Sequence, residues 1–253
     1  MTKLDRGFFT KPISHRTLHD IADGRPENSF EGAQAAIDAG YAIEIDLQLS
    51  SDGIAMVFHD YDLERLTGQK GFVQNMSAAE LSQIQLLHGE RAIPKFDDFL
   101  NVIDGRVPLL VELKAQNLTL DEETDDMVNA VKACVDGYTG PLAFMSFNPH
   151  MIETFALVLP EYPRGLVTDP YTQKDWPMIA DDRRETLAKI PDYERVGASF
   201  ISHNVNDLQS DAVAKIKAKG GAVFCWTVRS KEQEQDARKI AQNVTFEKYL
   251  AKF

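Results

Sequence analysis

The chain is 253 residues long, 43% hydrophobic and 26% charged, with a formal net charge of −12. That length suits a single α/β barrel of about 250 residues and is ample for a sizeable core. The acidic balance excludes an electrostatic footprint for nucleic acid or for an anionic membrane, so any anion site must be built locally from Arg, Lys, a metal or helix N-termini. Cys134 and Cys225 make no disulfide framework and read as buried free thiols. The opening residues hold no apolar run of signal-peptide length, and no stretch approaches about 20 apolar residues. A cytoplasmic protein without stable membrane association is therefore expected, with its oligomeric state open.

Residues 12–15 read as a short strand ending in His15 and Arg16. A polar loop containing Gly24 and Pro26 follows. Asn28 or Ser29 then caps a helix whose apolar face is Phe30, Ala33, Ala36 and Ile37, and Gly40 ends it. The stretch from Ala42 to Asp60 is the centre of the chain. Glu44 and Asp46 lie on one face of a strand because strands alternate with period 2. Asp52-Gly53 is a hairpin signal. With those two residues as the turn, Ser51 faces Ile54, Leu49 faces Met56, Leu47 faces Phe58 and Asp46 faces His59. Leu47, Leu49, Met56 and Phe58 then form the apolar face of the hairpin. Two carboxylates beside an imidazole suit a divalent metal next to an acid/base group, with a solvated hairpin as the plain alternative.

Parallel strands need a crossover of a dozen or more residues, so the arm returning at 56–59 runs antiparallel and is not the next barrel strand. Helices are expected at 77–87, 95–103, 121–135, 149–159, 183–190, 211–219 and 231–242. Strands are expected at 108–114, 142–147, 164–168, 199–203, 222–228 and 243–246. Leaving out the returning arm, eight parallel strands alternate with helices. The fold class is α/β: one (β/α)8 barrel spanning residues 1–253 as a single domain, with an extra hairpin arm after its second strand. The short final helix leaves the N-terminal segment or the tail to help cover the last strand.

In such barrels the chemistry sits at the C-terminal ends of the strands. Those ends carry His15-Arg16, Glu44-x-Asp46, His59-Asp60 on the arm, Glu112-x-Lys114, Ser146-Phe147-Asn148 and His203-Asn204, with Trp226 in the strand at 222–228. Ionisable residues at several strand ends are costly to bury unless paired or metal-bound, so together they mark a site. His203 reads as a core or loop histidine. His19, His88 and His150 read as surface residues.

His15-Arg16, Pro26-Glu27-Asn28, Glu44-x-Asp46, Asp52-Gly53, Val57-Phe58-His59-Asp60, Leu63-x-Arg65-x-Thr67-Gly68, Ile93-Pro94, Glu112-x-Lys114, Ser146-Phe147-Asn148 and Trp226-Thr227-Val228 occur in that order. This ordered set resembles the glycerophosphodiester phosphodiesterase family, from about Ile13 to Val228. The resemblance implies a barrel holding one divalent cation, Mg²⁺ or Ca²⁺, and hydrolysis of a small-molecule glycerophosphodiester to glycerol 3-phosphate and an alcohol. It implies attack by the substrate's own glycerol 2-hydroxyl, with water opening the resulting cyclic phosphate. Glu44, Asp46 and Glu112 are the implied hard oxygen ligands. His15 and His59 are the implied acid/base pair, their roles interchangeable at this stage. Arg16 and Lys114 would hold the phosphate; the plain alternatives are salt bridges of Arg16 with Glu27 and of Lys114 with Asp46 or Glu112. Glu27 follows the family pattern, and Asn28 is either part of it or only a helix cap. Phe147 and Trp226 either line the glycerol or alcohol pocket or belong to the core.

Two positions depart from the family pattern. Thr17 stands where Gly usually follows His-Arg. Val244-Thr245-Phe246-Glu247 replaces a Thr-Asp pair followed by Pro, so Glu247 either substitutes for that Asp or marks a different rim. The stretch from Asp60 to Pro108 has no large insertion, which favours small soluble diesters. Two further readings compete: a related barrel acting on lysophospholipids or another alkyl phosphodiester, and a non-catalytic barrel that binds a phosphorylated metabolite.

Overall fold

The computed structural model describes residues 2–122 and 125–253. Its strands are β1 (Ile13–Ser14), β2 (Ala42–Leu49), β3 (Ala55–Val57), β4 (Leu109–Leu113), β5 (Leu142–Ser146), β6 (Arg164–Thr168), β7 (Phe200–Asn204), β8 (Ala222–Val228) and β9 (Asn243–Phe246). The eight strands other than β3 pair in parallel in the order β1-β9-β8-β7-β6-β5-β4-β2, and β1 pairs with β2 to close the barrel. β3 runs antiparallel on the outer part of β2, as the loop-length argument requires. Among the described residues no helix is long and apolar enough to cross a membrane.

The period of 2 builds the barrel in layers. Ile43, Ile45 and Leu47 of β2, and Leu109, Val111 and Leu113 of β4, pack outward against the helices. Ala42, Leu110, Ala143, Met145, Val167, Phe200, Ala222 and Phe224 fill the lumen. Continuing the inward positions up the same strands gives Glu44, Asp46 and Glu112 at the mouth. The floor is closed by Leu4 and Phe8 of the N-terminal segment, which join the lumen cluster. The tail packs instead on Tyr41, whose hydroxyl donates to the Ala251 carbonyl at 2.7 Å.

The hairpin differs from expectation by one residue. Leu47 opposes Val57, Gln48 opposes Met56 and Leu49 opposes Ala55. The Gly53 N–H donates to the Ser50 carbonyl (3.0 Å) and Gly53 takes φ 75°. Asp52-Gly53 is therefore part of a three-residue loop, a type I turn followed by a left-handed glycine, rather than a two-residue turn. A one-residue slip exchanges faces. Met56 and Phe58 leave the expected face and join a separate cluster with Leu63, Leu66 and Leu81, while Asp46 opposes Phe58, whose N–H it accepts at 3.0 Å. His59 lies one residue beyond.

The helix expected at 77–87 ends early, at Ala78–Leu81. Ile84 and Leu86 are buried while Gln85 and Leu87 are exposed, so the pattern changes to period 2 there and Gln85 bridges Ala92. The last helix stops at Ala237, and another helix spans Asp126–Val135; residues 123–124, within the span expected for that second helix, lie outside the described residues. Both cysteines are free, Cys225 buried and Cys134 half-buried. Burial pushes their thiols up to about 12 and about 11, which makes them poor nucleophiles.

Thr17 takes φ 75°, a left-handed conformation that is an outlier for a β-branched residue. Gly32 makes room for it, since a Cβ there would lie 2.1 Å from Thr17 Oγ1. Gly32→Ala is expected to cost about 1–3 kcal/mol by overpacking, while Thr17→Gly is neutral or stabilising because roughly 1–2 kcal/mol of left-handed strain is released. The double variant should recover most of the Gly32→Ala loss. Urea unfolding of the four proteins measures this, and strictly additive losses would refute the coupling.

Candidate functional site

Glu44, Asp46 and Glu112 are 2%, 1% and 7% exposed, and one oxygen from each lies within 4.8 Å of the others. Strand geometry explains the meeting: Asp46 of β2 is in register with Glu112 of β4, and Glu44 is two residues back on the same face. Burial and the two neighbouring carboxylates push the Glu44 carboxyl well above its ordinary range. Asp46 is held far below its ordinary range, against burial, by Lys114, His59 and Arg16.

Lys114 Nζ lies 2.8 Å from Asp46 Oδ1 and 2.6 Å from Glu112 Oε1. Arg16 Nη1 donates to Glu27 Oε1 at 2.9 Å, and its Nε is 3.6 Å from Asp46 Oδ2. Both salt bridges weighed from the sequence are thus formed. Arg16 itself sits at φ 50°, which directs its backbone N–H onto Glu44 Oε2 at 2.8 Å. Asn28 is not the helix cap: Ser29 is, accepting from the Gly32 N–H. Asn28, at φ 56°, donates from Nδ2 to Asp46 Oδ2 at 2.9 Å and so orients that carboxylate.

Each of the two site histidines has a carboxylate on Nδ1. His15 Nδ1 is 2.7 Å from Glu247 Oε2. Burial is the largest influence on His15 and lowers it to about 4, so the ring is neutral near pH 7 with its Nδ1–H on Glu247 and Nε2 free of a proton. His15, Arg229 and His19 together hold Glu247 well below the usual carboxylate range despite burial. His19 is therefore not a plain surface residue: it is half-buried with Nε2 3.6 Å from Glu247. His59 Nδ1 is 2.6 Å from Asp60 Oδ1. Asp60 accepts from Arg65 Nε at 2.6 Å, and Arg65 donates to both oxygens of Glu27 at 2.8 and 2.9 Å. A chain of charge thus links His59 to Arg16.

His203 is a core histidine, buried between Thr168 (2.7 Å) and Asp207 (3.0 Å). His88 is exposed, whereas His150 is half-buried beside Arg183. Ser146 and Asn148 are engaged with backbone, Asn148 as the cap of the helix at Pro149–Val158. Phe147 and Trp226 stand at the upper edge of the lumen cluster, their rings 5.6 Å apart in a T, and also line the cavity. The roles left unassigned in the sequence are those of Asp60, Arg65 and Glu247. Asp60 and Arg65 lie within the quoted motifs and Glu247 in the departing last stretch, but Arg65 meets Glu27 across 38 residues and Glu247 meets His15 across 232.

These groups open on one cavity of about 580 Å³, lined by His15, Arg16, Glu44, His59, Glu112 and Lys114 at its charged end. Burial and like charge raise the Glu44 carboxyl although Lys114 and Arg16 stand beside the cage of three carboxylates. An all-oxygen donor set of this kind fits a hard divalent cation such as Mg²⁺ or Ca²⁺.

The model of the glycerophosphoryl diester phosphodiesterase family matches residues 15–246. The Bacillus subtilis protein YhdW is 24% identical over 230 residues, covering 87% of this chain and 86% of its own. A glycerophosphodiester phosphodiesterase of Caldanaerobacter subterraneus is 24% identical over 215 residues, covering 82% of each. Among solved structures, an Oleispira antarctica phosphodiesterase in complex with the product sn-glycerol-3-phosphate superposes with TM-score 0.74 at 23% identity, over 94% of this chain and 92% of its own. A Parabacteroides distasonis glycerophosphodiester phosphodiesterase gives 0.73 at 22%, over 93% of both. The structural likeness is one of fold.

Glu247→Ala should free the His15 ring. The fraction of the Nδ1-protonated tautomer, read from imidazole ¹⁵N shifts, is expected to fall from dominant to a mixture. An unchanged tautomer would show that Glu247 does not orient His15.

Proposed function

The chain belongs to the glycerophosphoryl diester phosphodiesterase family, and from that premise we propose that this phosphoric diester hydrolase cleaves a glycerophosphodiester to glycerol 3-phosphate and an alcohol by paired-histidine catalysis beside a divalent cation. The single barrel spanning the chain carries the whole site. The observation that most supports the reading is that His15 and His59, each held by a carboxylate, line one cavity with a buried three-carboxylate cage.

Glu44, Asp46 and Glu112 would hold Mg²⁺ or Ca²⁺, which when bound polarises a phosphoryl oxygen and lowers the pKa of a nearby hydroxyl. Arg16 grips the phosphate with its fork and Lys114 as a point charge. The neutral His15 takes the proton of the glycerol 2-hydroxyl through Nε2 as that oxygen bonds to phosphorus. His59, supported by Asp60, gives a proton to the departing alkoxide as its P–O bond breaks. The roles reverse when water opens the cyclic phosphate: His59 takes a proton from water and His15 returns one to the 2-oxygen. Phe147 and Trp226 border the substrate, and Glu27 holds Arg16 in place.

Glycerol 3-phosphate release from glycerophosphocholine with Mg²⁺ or Ca²⁺ tests the reading directly. Chelator should abolish it, and release that survives chelation would refute metal dependence. His15→Ala and His59→Ala should each lower kcat about 10²- to 10⁴-fold while keeping cation binding. The cation should raise Tm by roughly 5–10 °C at 100 times Kd, and Glu44→Gln should lose most of that rise. Because the base must be unprotonated and His15 is lowered to about 4 from 6.5, the acid limb of kcat/KM should fall well below pH 6.5. A limb at 6.5 would refute His15 as base.

A further inference from the structure

The cavity offers more apolar surface than a glycerol headgroup requires. Its volume of about 580 Å³ lies within the roughly 300–1,000 Å³ of pockets that take drug-sized ligands. Much of its apolar lining comes from the loops that follow β4 and β6. Leu118 and Leu120 belong to the first loop, and Trp176, Pro177 and Met178 to the second. Leu118 is 52% exposed and Met178 61% exposed. Large apolar side chains left in water on the lip of a cavity are informative in a way that scattered ones are not.

The wall has its own support. Ala115, Leu120, Tyr171, Ile179 and Leu187 form a separate small core that joins the two loops. Phe147 packs on Trp176 at 4.9 Å and on Tyr171 at 6.4 Å between ring centroids. Polar groups in the wall are used locally. Asn117 Oδ1 accepts from the Thr119 N–H at 3.1 Å, Asp175 Oδ2 accepts from the Thr172 hydroxyl at 2.6 Å, and the Trp226 indole N–H donates to the Ser202 carbonyl at 2.9 Å.

We infer that the alcohol of the substrate diester carries an aliphatic chain, which lies on Leu118, Phe147, Trp176 and Met178 while phosphate and glycerol stay at the charged end. The inference rests on the phosphodiesterase reading above. That reading needs the glycerol hydroxyls beside the histidines, which leaves the apolar wall for the other ester substituent. The aromatic faces of Phe147, Trp176 and Trp226 suit a quaternary ammonium as well as a chain, but Leu118, Leu120, Pro177 and Met178 have no quadrupole to offer a cation and gain only from an aliphatic group. Each methylene buried there contributes up to about fourfold in kcat/KM.

The test is a series of glycerophosphoalkanols from ethanol to octanol, assayed with Mg²⁺ by glycerol 3-phosphate release. The octanol diester is expected to exceed the ethanol diester at least tenfold in kcat/KM, and Leu118→Asp and Met178→Asp should reduce that ratio to about two. The exposure of both positions lets the variants fold. Trp176 and Trp226 are the two tryptophans of the chain and both line the cavity, so intrinsic fluorescence gives a readout without turnover. Octyl phosphate below its micelle concentration should shift the emission, with Met178→Asp weakening the apparent affinity at least fivefold. Turnover of the series with no preference for length overturns the chain subsite and leaves the phosphodiesterase reading standing. Turnover of no member overturns both. A preference for chains acylated on the glycerol instead of the alcohol overturns the placement of the chain.

Discussion

Three carboxylates buried at the mouth of the barrel, one oxygen of each within 4.8 Å of the others, are the constraint to which the surrounding structure answers. Strand periodicity places Glu44 and Asp46 on the same inward face and register brings Glu112 beside them. Left alone, such charges would carry a large desolvation cost. Lys114 rises from the strand end of Glu112 to bond two of them. The remaining demand falls on the first loop, where three non-glycine residues, Arg16, Thr17 and Asn28, take left-handed backbone. In that conformation the Arg16 N–H meets Glu44 and the Asn28 amide meets Asp46. The strain of the loop and the charge of the cage therefore support each other, as is common where a site overrides local preference.

The two histidines are held by different kinds of order. His15 and Glu247 come from opposite ends of the chain and meet because β1, only two residues long, pairs with β9. Their contact exists only when the barrel closes, so the site and the fold are completed together. His59 has its carboxylate next to it in sequence, but Asp60 is fixed through Arg65 and Glu27 to Arg16. Loss of Glu27 would reach both Arg16 and, through Arg65, the His59 pair.

The sequence was most legible where periodicity governs. The eight-strand alternation and the shared face of Glu44 and Asp46 follow from spacing alone. The hairpin register did not follow, because Asp52-Gly53 fits both a two-residue turn and the last two positions of a three-residue loop, and only the φ of Gly53 within the closed turn decides between them. Ile84 and Leu86 suit a helix and an extended segment equally, so spacing alone does not mark the end of the helix at Ala78–Leu81. Long-range ion pairs such as His15–Glu247 and Arg65–Glu27 leave no local pattern. The apolar wall leaves no pattern for a related reason: it is built by two aperiodic loops far apart in sequence.

Charge decides how such a site acquires its ligands. The protein carries a net charge of −12 and repels anions at long range, so attraction for a phosphodiester must arise within the cavity. Its two cations are already engaged there, Arg16 with Glu27 and Lys114 with Asp46 and Glu112. A cation entering the carboxylate cage would compete with Lys114 for those oxygens and would leave the ammonium free to take a new anionic partner. Cation and phosphate binding would thereby be linked with the same sign, and such a linkage is reciprocal: whatever free energy a cation adds to phosphate binding, phosphate adds to the binding of the cation. Apolar contact with the outer wall lies outside this exchange, since it depends on neither the charge of the protein nor the occupancy of the cage, and it gives the cavity a source of affinity that the acidic surface does not oppose.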